Sequence, residues 1–74
     1  MLTKQDAIDV IARHGAMQAI QVAHLLGADI DEVYGALVSL EASEMLRIRT
    51  EGERLRLWEL TDRCERLQAQ GVPA

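Results

Sequence analysis

Four arginines, Arg47, Arg49, Arg54 and Arg56, fall within ten residues late in the chain, with Trp58 two positions further on. On an extended strand, side chains at alternate positions project to one side. Guanidinium groups held that way can bind phosphate oxygens one after another, and a tryptophan among them can pack against their stems. Affinity built on such contacts falls by roughly 0.9 log units per neutralised phosphate for each tenfold rise in salt. The plainer alternative is a solvated strand face, partly offset by Glu51, Glu53 and Glu59, that contributes little by itself.

The remaining reactive side chains form no constellation. His14 and His24 stand ten residues apart with Cys64 distant, and no CxxC or HExxH spacing occurs, so no metal site is expected. There is no phosphate-cradling glycine loop, no nucleophile elbow and no convincing acid/base pair. A chain of 74 residues has little material left over to enclose a substrate pocket of the usual ~300 Å³ or more. The expectation is a protein that is not an enzyme, has no cofactor or catalytic residue, and takes no small-molecule substrate.

Length and composition bound the rest. A chain of this size buries only about 60% of its unfolded surface, but 49% of its residues are apolar and they recur regularly. One folded domain over residues 1–70 is expected, with a flexible tail at 71–74, and self-association would widen its thin margin. A single cysteine, no basic-then-apolar leader, and a longest uncharged run (15–28) too short to span a bilayer point to a cytoplasmic protein away from membranes. The net charge of −4 is unevenly spread. Residues 1–46 carry two basic side chains against seven acids, whereas residues 47–66 carry six arginines against five acids.

The elements that must position these groups can be read from periodicity. Thr3 caps a first helix, with Asp6 as the reciprocal acid and Ala7, Ile8, Ile11 and Ala12 on its apolar side; Gly15 stops it. A second helix runs over roughly 18–26, with Ile20, Ala23 and Leu26 inward and Val22 beside them, and Gly27 ends it. Asp29 caps a third helix and Glu32 completes a capping box. Val33, Ala36, Leu37 and Leu40 form its buried stripe, and it runs out near 43–45. Leu46 and Ile48, then Leu55 and Leu57, alternate with the arginines across a polar turn at 50–53, giving a hairpin with an apolar inner face and an arginine-rich outer face. Thr61 caps a short last helix with Cys64 and Leu67 on its inner edge. The fold class is mainly α with a small β-hairpin (α+β).

This order resembles the winged helix-turn-helix plan, a three-helix core followed by a two-stranded wing and, here, a short C-terminal helix. VAHLLGADIDEVYGALVSLEASEML is similar, without a gap, to the LAxxLGxSxxTVxxxLxxLExxGL pattern of small bacterial winged-helix regulators, and WELT at 58–61 resembles the YxLT that closes the wing. The resemblance implies a transcriptional regulator that binds double-stranded DNA with its third helix in the major groove and its wing along the backbone.

At about 100° per residue, the pole of that third helix opposite its buried stripe carries Asp31, Gly35, Val38 and Ala42, with Tyr34 and Ser39 at its edges. It has no basic residue, although base readout needs donors and phosphates repel carboxylates. Two readings therefore stand. In one, a DNA-binding regulator, dimeric in the simplest case, grips the backbone through Arg47, Arg49, Arg54 and Arg56 with Trp58 among them, and brings Tyr34 and Ser39 near the bases. In the other, the smooth acidic face around Tyr34, Gly35 and Val38 binds a protein partner and the domain stays off DNA.

Overall fold

The computed structural model describes residues 2–72. Six elements follow in order: α1 (Lys4–His14), α2 (Ala19–Leu26), α3 (Ile30–Ala42), β1 (Leu46–Glu51), β2 (Leu55–Leu60) and α4 (Asp62–Ala69).

The ends of α1 are set locally. The Thr3 hydroxyl accepts the Asp6 amide at 3.1 Å and the Asp6 carboxylate accepts the Thr3 amide at 3.0 Å, a complete capping box. Gly15, at φ 86°, donates its amide to the Ile11 carbonyl and ends the helix. Ala7, Ile8 and Ile11 are buried with Val10 packed beside them, while Ala12 faces solvent instead of completing the apolar side. In α2 the buried arc is Val22 and Ala23 with half-buried Leu26. Ile20, expected inside, is 66% exposed. The arc is centred near Val22 and Leu26, and Ile20 projects more than a right angle from that centre.

Asp29 caps α3 by accepting the Asp31 amide at 2.9 Å. Glu32 does not close the expected capping box; its carboxylate accepts the Leu2 amide at 3.3 Å and ties the start of the chain to α3. Val33, Leu37 and Leu40 are buried. Beyond Ser43 the chain turns through Glu44, at φ 63°, and the Met45 amide returns to the Leu40 carbonyl at 2.9 Å. That left-handed position is one that glycine normally fills.

β1 keeps the expected alternation, but β2 pairs with it in the opposite phase from the one expected. Its turn contains the three residues Gly52, Glu53 and Arg54, with Gly52 at φ 66°, so that Glu51 faces Leu55. Moving a hairpin's register by one residue reverses every side chain of one strand. Directly opposed residues share a face. Leu46 with Leu60 and Ile48 with Trp58 therefore share one face of the hairpin, whereas Arg47 with Glu59 and Arg49 with Leu57 share the other, on which Leu57 is nevertheless buried. Leu55 and Leu57 stand on the same side as Arg47 and Arg49, where Leu55 is exposed while Leu57 is buried as expected, and Trp58 leaves that side for the core.

A third strand is reduced to one residue. Met17, between α1 and α2, exchanges both backbone hydrogen bonds with Trp58, at 3.0 and 2.7 Å. The core gathers Ile8 and Ile11 of α1, Val22 of α2, Val33, Leu37 and Leu40 of α3, and Leu46, Trp58 and Cys64 around them. The Thr61 hydroxyl accepts the Cys64 amide to cap α4 and donates to the Glu44 carbonyl at 2.6 Å. Of the expected tail, Val72 donates its amide to the Leu67 carbonyl and accepts from the Gln68 side chain, while Pro73 and Ala74 lie outside the described residues.

Candidate functional site

The wing arginines divide into two classes. On the outer face, Arg47 Nε bonds Glu59 Oε1 at 2.7 Å, and Arg49 reaches Glu59 Oε2 at 3.4 Å and Glu51 Oε1 at 3.0 Å. Glu59 thus bridges two guanidinium groups. Its hydrogen bond and its charge hold the Arg47 proton more tightly than usual. Arg54 in the turn and Arg56 on β2 are exposed, and neither has an acidic partner within ion-pairing distance among the described residues. Arg56 lies opposite Thr50, on the reverse face from Arg47 and Arg49. The four arginines do not form one basic surface; the unneutralised charge is at the tip.

Trp58 is 3% exposed, with its backbone bonded to Met17 and its ring edge-to-face with Tyr34. So enclosed, it has no free face to offer a ligand. Tyr34 is 49% exposed and stands at the join of α3 and the wing. Asp31, Gly35, Val38 and Ala42 are exposed, while Ser39 is half-buried. A Cβ built on Gly35 would meet nothing within 4 Å, so no packing inside the chain calls for glycine there. Sequence reasoning passed over Ile30, which is 40% exposed and continues a line with Tyr34 and Val38 at intervals of four. That four-residue spacing is legible in the sequence itself.

Two further features lie away from α3. A groove of about 570 Å³ runs between the end of α1 and α2, lined by Met17, Ile20 and Leu25 with His14, Gln21 and His24. Cys64 is buried, and that burial, helped by the neighbouring Glu65, raises its thiol above the ordinary range. Among the described residues no group of three or more His, Cys, Asp or Glu is placed to hold a metal ion, and no helix is long and apolar enough to cross a membrane.

Three helices followed by a two-stranded wing define the class: the chain has the winged helix-turn-helix fold. Solved structures of other proteins share this fold. The Zalpha domain of Carassius auratus PKZ, solved in complex with Z-DNA, superposes with a TM-score of 0.70 at 24% identity over 78% of this chain and 90% of that one. RV1404 from Mycobacterium tuberculosis gives a TM-score of 0.84 at 20% identity over 95% of this chain and 50% of that one. A MarR-family transcriptional regulator from Rhodococcus sp. RHA1 gives 0.75 at 19% identity over 95% and 51%. The chain therefore spans about half the length of the latter two proteins. No family model and no curated protein sequence matches it.

Proposed function

We propose that this chain is a DNA-binding domain of a regulatory protein, and that it holds a duplex mainly through Arg54 and Arg56 at the wing tip. The observation that carries this reading is the pair of unpartnered arginines on a wing whose other two are neutralised by Glu59 and Glu51. The fold likeness to a domain solved on Z-DNA and to a transcriptional regulator supports it. Tyr34 and Ser39 are the groups of α3 that come nearest the bases. Asp31, Glu32, Glu41 and Glu44 on and beside α3 oppose deep insertion into a groove lined with phosphates. The affinity for mixed sequence belongs toward the weak end of the usual non-specific range of about 10⁻⁴–10⁻⁶ M.

The test is a titration of the purified chain against mixed duplex DNA at low and moderate salt, with a left-handed duplex as a second probe. Binding that weakens with salt and is lost with Arg54→Ala and Arg56→Ala supports the reading; no binding to either duplex at low salt ends it.

A second reading is favoured by one observation. Ile30, Tyr34 and Val38 form an exposed apolar line on an acidic helix, beside a glycine with open space above it. Such a face suits a protein partner. Loss of a captured partner on Gly35→Arg, with duplex binding absent throughout, would favour this reading over the first.

A further inference from the structure

We infer that Glu59 confines the wing's phosphate binding to its tip, because its carboxylate occupies on Arg47 and Arg49 the place that a phosphate would take. The inference rests on the phosphate-binding reading of Arg54 and Arg56 proposed above and extends it to the rest of the wing.

The hairpin carries cations on both faces, Arg47 and Arg49 on one and Arg56 on the other, with Arg54 in the turn. A ribbon built this way can lie in a groove and meet the backbone on either side of it. Here Glu59 closes one of the two faces. Strand pairing sets it directly opposite Arg47. Its two oxygens engage the two guanidinium groups separately, Oε1 with Arg47 Nε at 2.7 Å and Oε2 with Arg49 Nη1 at 3.4 Å. The Glu59 side chain is set into the surface at 17% exposure, whereas the two arginines remain 64% and 47% exposed. To bind there, a phosphate must displace an anion carried on the same hairpin and therefore always at hand. Asp62 and Glu65 add their negative charge around Arg47.

The other acids of the wing are placed differently. Glu51 meets Arg49 alone, from an exposed position, and Glu53 in the turn is in no ion pair among the described residues. What Glu59 withholds is affinity for the backbone, which carries no sequence information. It lowers the grip on arbitrary duplex without touching contacts made by α3 or by the wing tip.

The experiment is fluorescence anisotropy of the full chain on a mixed-sequence duplex across a salt series, with circular dichroism to verify the fold. Glu59→Gln keeps the shape of the side chain and removes its charge. It is expected to tighten binding several-fold at low salt and to steepen the salt slope by about 0.9. That is one added phosphate contact, at Arg47, since Arg49 stays paired with Glu51. The same substitution made on Arg47→Ala is expected to leave the slope of Arg47→Ala unchanged. Glu53→Gln is expected to leave that of the unaltered protein unchanged. So is Arg47→Ala alone, because that arginine contacts no phosphate while Glu59 holds it. The inference is overturned by a slope that does not rise with Glu59→Gln, that rises without Arg47, or that rises equally with Glu53→Gln. A fall of about 0.9 with Arg47→Ala alone overturns it as well. If the unaltered protein binds no duplex, the reading of the wing tip fails by itself; Glu59→Gln then supports the inference by binding and ends it by not binding.

Discussion

The ring of Tyr34 meets that of Trp58 edge-on, with centroids 6.0 Å apart and planes at 90°. The contact joins the exposed side of α3 to the inner face of the wing and sets the angle between the two surfaces on which both functional readings depend. Edge-to-face pairs of this kind are worth about 0.5–1.5 kcal/mol beyond the area they bury. Trp58→Ala should destabilise the domain by about 3–5 kcal/mol, the usual range for emptying a buried aromatic site. Tyr34→Ala should cost much less, and a double-mutant cycle in chemical denaturation should return a coupling within the pair's own range. A coupling near zero would mean that the rings are neighbours without being partners.

The wing arginines should behave unequally. Replacing Arg54 and Arg56 by alanine removes two unpartnered cations and should lower the salt slope of duplex binding by about 1.8, at roughly 0.9 per phosphate contact. Replacing Arg47 and Arg49 frees Glu59 and Glu51 while removing charges they already neutralise, so the slope should change less. Fluorescence anisotropy across a salt series measures both. Equal losses from the two pairs would show that the ion pairs open on binding.

Glu44 occupies a left-handed backbone position at φ 63°, which costs a residue with a Cβ roughly 1–2 kcal/mol. Glycine there would relieve that strain but would lose more chain entropy on folding. Glu44→Gly should therefore stabilise the domain by a net of about 0.5–1 kcal/mol in urea denaturation. Thr61 holds the same turn from the other side, donating to the Glu44 carbonyl while capping α4. Thr61→Ala should cost about 1–2 kcal/mol, the range for a lost cap with a lost hydrogen bond.

The capping box of α1 should leave a mark at acid pH. Hydrogen bonds from the Thr3 amide and hydroxyl hold the Asp6 carboxyl below its ordinary value. A lowered folded-state pKa means that the ionised group contributes stability above its unfolded value, about 3.9, and loses it as pH falls through the lower folded value. The difference in melting temperature between the protein and Asp6→Ala should be fully present at neutral pH and close below pH ~4. A difference that persists unchanged into strong acid would show that the carboxylate's charge is not what supports the helix.

Cys64 should resist thiol reagents in the folded state, because its side chain is buried and its thiol is held protonated by that burial. Modification should appear only as denaturant opens the domain, in step with the unfolding curve; rapid labelling of the native protein would contradict the packing of α4.

What the sequence determined by itself was local. The Thr3 and Asp29 caps, the glycine stops at Gly15 and Gly27, and the buried line of Val33, Leu37 and Leu40 each rest on groups within one or two turns of one another. The outward pole of Asp31, Gly35, Val38 and Ala42 follows from the same periodicity. The order of elements and the winged-helix plan are therefore legible in the sequence.

Tertiary structure decided what depends on residues far apart. The parity of the hairpin rests on a three-residue turn where a four-residue one reads as well, and that single step moved Trp58 inward and placed Leu55 and Leu57 beside Arg47 and Arg49. Which arginines remain free depends on Glu59, twelve residues from Arg47 along the chain. Glu32 bonds Leu2 instead of its own helix, and Met17 pairs with Trp58 across forty-one positions. No local pattern encodes these pairings, because each is chosen by how the packed elements bring distant groups together.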